Sequence, residues 1–235
     1  MKKSHQYWDL SVNPIWHTCT KVSAGCTNCW AKAMGKRFPE IRKIVECPKP
    51  ELHLEAFDKL NKQKPQVVFL QLLGDLFHED IPFEWIRQII IKAYLQNNNI
   101  YLVCTKRAKR MVEFFKWIQD DFENIYFGVS VEDQSTLWRI EELEKIPNVK
   151  KWVSFEPLLG YIEFKDYHYD YTINFIAIGC ETGSKRLCAI DDIGKISHFS
   201  ECLWAKHWIK QIPINGKSCN DIKLFPKDLQ IRERP

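Results

Sequence analysis

The sequence predicts an α/β fold. Three observations predict it: apolar, β-branched runs without polar alternation, segments of helical period between them, and strand starts about 22–35 residues apart, the size of a βαβ unit. The runs are QVVFLQLL (66–73), IYLVCT (100–105), IYFGVSV (125–131), KWVSFE (151–156) and INFIAIG (173–179). Runs of this kind suit strands covered on both faces, as in parallel sheets joined by right-handed crossovers.

Each element follows in order. A first strand is expected between Tyr7 and Trp16, a cysteine turn after it, and a helix from about Asn28 to Phe38. Residues 42–64 read as a less regular insertion holding one helix. From Pro82, a residue suited to a first turn, Ile86, Ile89, Ile90, Ala93 and Tyr94 form one apolar stripe. Met111, Phe114, Phe115 and Ile118 repeat it, and Ser135 is positioned to cap a helix carrying Leu137, Ile140 and Leu143. From Leu187 onward the pattern weakens, and 187–235 reads as a covering segment. With no Gly/Pro/Ser-rich linker, low-complexity tract or repeat, residues 1–235 are expected to form one domain. Six βα units build either an open, partial barrel or a doubly wound sheet. Both place their chemistry at the carboxyl ends of the strands.

Composition narrows the function. Nine cysteines is an odd count, and the N-terminus lacks the apolar core of a signal peptide. A reducing cytoplasm is the expected setting, where clustered thiols point to metal or catalysis rather than disulfides. No stretch approaches the roughly 20 apolar residues of a membrane span. A net charge of +4, spread along the chain, is compatible with a nucleic-acid partner without arguing for one.

The expected strand ends are polar. They read GDLFHED (74–80), TKR (105–107), VEDQ (131–134), SFEPLLG (154–160) and GCETG (179–183). Gly74, Asp75, Lys106, Arg107, Glu132, Glu156 and Glu181 would thus share one rim with the turn CTKVSAGCTNC (19–29), which carries Cys19, Cys26 and Cys29. His78 beside Asp75 reads either as a proton relay or as a loop residue. Cys104, Cys180, Cys188, Cys202 and Cys219 are scattered and read as small hydrophobes. Trp8, Trp16 and Trp30 flank the cysteines, where core packing is the simplest role and base stacking the sharper one.

The stretches CTKVSAGCTNCWA, GDLFHEDIP, TKR, GVSVEDQ, VSFEPLLG and LQIRERP together resemble a phage-associated three-cysteine family. That family in turn looks like the radical S-adenosylmethionine (SAM) superfamily. The resemblance implies a partial (β/α)6 TIM-like barrel with the cysteine loop after the first strand. It also implies a [4Fe-4S] cluster on Cys19, Cys26 and Cys29, with SAM at the iron that no thiolate holds. Fully protein-ligated clusters use four cysteines, so three leave one iron open. Reductive cleavage of SAM would then start hydrogen abstraction from a substrate. Six residues separate Cys19 from Cys26 where the superfamily usually has three, and Asn28 stands where it usually has an aromatic. Gly74, Asp75, Lys106, Arg107, Glu132, Glu156 and Glu181 are the residues expected to contact SAM. An electron-donor protein, and a separately encoded partner that presents substrate, would come from other chains. The alternative is zinc, with His17 or Cys47 completing the three cysteines, in an α/β module that binds nucleic acid or a partner protein.

Overall fold

The apolar runs become strands in the computed structural model of the chain, which describes residues 5–60, 63–118, 120–164, 171–183 and 186–235. The first region is two short strands, β1 (Leu10–Val12) and β2 (Ile15–Trp16), before the cysteine loop. Next come α1 (Trp30–Arg37), α2 (Pro39–Val45) and β3 (Glu51–Leu52), which pairs antiparallel with β2 in a sheet of its own. The repeating part is β4 (Val67–Leu70), α3 (Phe83–Tyr94), β5 (Ile100–Thr105), α4 (Ala108–Trp117), β6 (Ile125–Ser130), α5 (Trp138–Glu144), β7 (Lys150–Leu158) and β8 (Ile173–Cys180). It is extended by α6 (Ile190–Cys202), β9 (Lys206–Ile214) and β10 (Lys217–Cys219).

The main sheet has eight strands in the order β1-β4-β5-β6-β7-β8-β9-β10, parallel except for β10. It curls into a half-barrel flanked by helices. Strand order follows chain order, so the sheet lacks the reversal that defines a doubly wound fold.

One face packs under the helices, taking Ile86, Ile89, Ile90 and Ala93 from α3, Met111 and Phe114 from α4, and Ile140 and Leu143 from α5. The other face is aromatic: Phe69, Tyr126, Trp152, Phe175 and Trp208 surround Tyr7 and Trp8 of the N-terminal segment. Alternation along the strands sorts residues between these faces. Gly128 shows how tightly the inner face is filled, because a Cβ there would meet the Trp152 ring at 2.4 Å. That ring is held by its Nε1, which donates to Val103 O at 2.8 Å.

Two expectations change. Residues from 187 onward do not simply cover the barrel: they supply α6, the parallel strand β9 and the edge strand β10. Only the last residues act as a cover, where Ile209 N donates to Ile231 O and Glu233 N to His207 O. The cap before α5 is Asp133 rather than Ser135; its carboxylate accepts Ser135 N at 3.0 Å and heads a 3-10 turn over Gln134–Thr136. An acceptor that also reaches the turn's second amide outcompetes a serine already inside the turn.

Candidate functional site

The carboxyl ends of the parallel strands form a rim, and the cysteine loop lies on it through four sets of contacts. The first comes from β4 and β5. Asp75 accepts Thr105 Oγ1 at 2.7 Å, Phe77 N at 3.0 Å and Lys106 N at 3.2 Å, which locks it beside Arg107. Arg107 Nη1 donates to Asp75 Oδ2 at 3.0 Å and approaches Cys19 Sγ at 3.9 Å; its Nη2 donates to Thr20 Oγ1 at 2.7 Å. Its Nε lies 2.8 Å from both oxygens of Glu79. Burial works against the Arg107 charge, but Asp75 and Glu79 more than offset it and raise its pKa. One guanidinium thus ties two strand ends to the start of the cysteine loop.

The second set comes from β6. Glu132 is fully buried, and its Oε1 lies 2.6 Å from Lys106 Nζ and accepts Ser23 Oγ at 2.9 Å, while Oε2 accepts Arg139 Nη1 at 2.9 Å. Burial pushes this carboxyl up, yet Lys106 and Arg139 outweigh it and hold the pKa below the ordinary value. Gly25 sits directly on the same group: a Cβ there would fall 2.5 Å from Glu132 Oε1. A Cβ there has to displace either the Glu132 side chain or the loop itself. The third set is Glu181, after β8, which accepts Asn28 Nδ2 at 3.1 Å and pairs with Arg186. Burial raises its pKa, and Arg186 with Asn28 reverses the shift.

The fourth set is behind the loop. Gln71, at a positive φ of 60°, bonds both the amide and the carbonyl of Ile15, at 2.9 and 2.8 Å. Gly74, at φ 127°, follows it in the same turn and contributes conformation rather than a functional group.

Glu156 differs from the other acids because it faces the aromatic interior rather than the loop. Tyr7 Oη donates to its Oε2 at 2.7 Å, and Lys210 Nζ lies 2.8 Å from Oε1 without the alignment of a hydrogen bond. Gly179 leaves this side of the mouth open, since a Cβ there would sit 3.2 Å from Glu156 Oε1.

All three thiols of the loop are free and half-buried. Cys26 ends a 3-10 turn (Ala24–Cys26), and Cys29 immediately precedes α1, packing toward Ala31, Val45 and Leu73. Burial, with Asp75 adding to it, pushes the Cys19 thiol up to about 11 against the pull of Arg107. Cys26 is close enough to raise it further. The three sulfurs are not within 4.8 Å of one another, whereas His17, His78 and Asp80 are such a group among the described residues. Zinc–sulfur bonds of about 2.3 Å put two thiolates of one zinc no more than about 4.6 Å apart. The loop would have to contract to hold a single zinc, while a larger multi-iron cage takes more widely set thiolates. Neither proposed fourth ligand turns to the thiols: His17 faces His78, and Cys47 Sγ donates to Lys49 O at 3.0 Å.

The seven expected rim residues therefore do converge, but with divided duties: Asp75, Arg107, Glu132, Lys106 and Glu181 hold the loop, and Glu156 faces inward. Sequence reasoning missed Thr20, Ser23, Asn28, Arg139 and Arg186 on the loop side, and Tyr7 and Lys210 beside Glu156. Their partners lie up to 153 residues away, and no local pattern carries that information. Of the tryptophans, Trp8 packs inside against Phe69, Trp16 stacks on His53 at 4.0 Å, and Trp30 is exposed beside Cys29. No curated protein and no solved structure matches the chain. A family model described as a protein of unknown function (DUF5131) matches residues 3–212. With nearly the whole strand–helix series and its rim inside that match, the chain belongs to the DUF5131 family.

Proposed function

We propose that the chain is an enzyme of the radical SAM kind, with a [4Fe-4S] cluster on Cys19, Cys26 and Cys29 and SAM across the rim. The observation that carries this reading is a loop of three free thiols tethered to the carboxyl ends of β4, β5, β6 and β8. The motif resemblance to a phage-associated three-cysteine family supports it. On this reading the half-barrel is a partial (β/α)6 barrel extended by β9 and β10.

When bound, the cluster supplies the electron for reductive cleavage of SAM. The chain's own residues prepare the place. Arg107 beside Cys19 Sγ pulls against the burial that keeps this thiol protonated, easing the deprotonation that a metal needs. Glu132 and Glu181 fix the loop's two flanks, keeping the thiols at a set spacing without ordering cost on loading. Glu156 Oε1, which accepts no aligned hydrogen bond, and Ser154 on the same side are suited to ribose hydroxyls or an ammonium group. Lys106 and Lys210 supply positive charge for a carboxylate. The inner aromatic floor excludes water from that side. Electrons come from a separate donor protein, because the remaining cysteines are dispersed along the chain.

The test is iron and acid-labile sulfide after anaerobic reconstitution of wild type and Cys26→Ala, with 5′-deoxyadenosine measured under reducing conditions. About four irons with matching sulfide, lost in the variant, together with 5′-deoxyadenosine, are expected. Zinc alone, with no cluster formed, overturns the reading in favour of a metal-stabilised α/β binding module.

A further inference from the structure

A second group of donors lies on the rim, apart from the thiols. His17, His78 and Asp80 each bring one ligand atom within 4.8 Å of the others. Asp80 Oδ2 is 3.8 Å from His17 Nε2 and 3.7 Å from His78 Nδ1. These separations exceed hydrogen bonds, which run about 2.7–3.2 Å. The two imidazoles meet edge to face, with centroids 4.1 Å apart.

His17 is the telling member. Its side chain is 7% exposed, and neither ring nitrogen has a hydrogen-bond partner. A buried imidazole left in this way is costly, and this one points at a carboxylate and a second imidazole. His78 Nε2 lies 2.9 Å from Thr20 Oγ1. Thr20 holds that nitrogen through its hydroxyl and, at 3.4 Å, its amide, the outer contact that orients the ring with Nδ1 facing Asp80. The Asp80 amide, 3.2 Å from Nδ1, is the contact an ion would replace. Asp75, Glu79 and Asp80 set three negative charges against the one of Arg107, which favours a cation here.

We propose that His17, His78 and Asp80 bind one divalent first-row transition ion, zinc or iron(II), joining the cysteine loop to the segment after β4. Two nitrogens and one carboxylate oxygen suit those ions, and three protein ligands leave positions for water or substrate, the arrangement of reactive rather than closed sites. A tetrahedral ion with bonds of about 2.0–2.2 Å spaces its ligand atoms about 3.4 Å apart, so the Asp80 carboxylate draws toward the two imidazoles by about 0.3–0.4 Å on binding. No thiol takes part, and the site is independent of the cluster reading.

The experiment titrates cobalt(II) alone into two forms of the full chain, wild type and Cys19→Ser/Cys26→Ser/Cys29→Ser, under anaerobic conditions with visible spectroscopy and zinc competition. The triple variant is expected to take up one cobalt per chain, with d–d bands, no thiolate charge-transfer band and displacement by zinc. Adding Asp80→Ala, at an exposed side chain that leaves the fold intact, weakens binding at least about tenfold. His17→Gln does the same while circular dichroism stays unchanged. Absence of stoichiometric binding in the folded triple variant overturns the site, as does binding unaffected by Asp80→Ala. Iron–sulfide reconstitution of the wild type reads the cluster separately, so the two readings fail independently.

Discussion

Glu132 is the residue on which the rim turns, because one fully buried carboxylate answers Lys106, Arg139 and Ser23 at once. Replacing it with glutamine leaves two cations facing each other with no counter-charge. Breaking a buried pair in this way costs about 3–5 kcal/mol, and Glu132→Gln is expected to lose about 3 kcal/mol in urea unfolding at pH 7. Since the folded pKa lies below the ordinary 4.5, the charge stabilises the fold above pH 4.5. That contribution is lost as pH falls through the depressed value, where wild type and variant converge. At Cys19, a thiol held near 11 is almost wholly protonated at neutral pH. In the metal-free chain it should be alkylated at least about tenfold more slowly at pH 8 than exposed Cys202, read by peptide mass spectrometry. The acids themselves were legible in the sequence as strand-end residues. Their occupation was not, since Arg139 lies on the face of α5 turned to the sheet and Arg186 beyond β8, and only the folded register brings them in.

At the scale of elements, the strands were the most legible part. β4, β5 and β6 fall inside the apolar runs, and β8 exceeds its run by one residue, because a strand covered on both faces has no polar alternation to hide it. β9 escaped because it is KHWIKQIPI, with lysines at its start and middle: Lys206 is exposed and Lys210 reaches the mouth. A strand that lends charges to a site loses the pattern that would reveal it. Two glycines test the packing of these elements. Gly128→Ala drives a methyl into the Trp152 ring and is expected to destabilise by at least about 1–3 kcal/mol, the range for overpacking. Gly25→Ala pushes on Glu132 from the loop side, where the loop can yield. It should leave the unfolding midpoint near wild type while, on the proposed cluster reading, reducing iron uptake on reconstitution, which separates loop geometry from core stability.

For the whole molecule, the C-terminal segment reaches from β9 to the segment that leads into β1. Arg234 pairs with Asp9 at 2.9 Å, Arg232 lies over Trp208, and Trp208 Nε1 donates to His5 O. Phe225 and Leu229 are buried beneath. Removing residues 221–235 uncovers the first part of β9, which β10 does not pair, and edges of that kind pair with other chains; the truncated chain should unfold at lower urea and sediment as oligomers. His207, in the same seam, is held below its ordinary 6.5 by burial, which outweighs Glu233. The unfolded chain therefore takes up the proton first, and stability drops as pH falls from 6.5 through the folded value. His207→Gln should flatten that part of the profile of urea midpoints. The half-barrel's consecutive strand order also bears on synthesis. Once β4 has reached β1, each new strand finds its neighbour already in place as the chain leaves the ribosome, so the sheet can lengthen one unit at a time. The cysteine loop keeps a different schedule. It emerges before residue 30, yet Asp75, Glu132 and Glu181, which seat it, arrive as many as 153 residues later. For most of translation the three thiols therefore stand without the carboxylates that seat their loop, and the last parallel strands complete the rim.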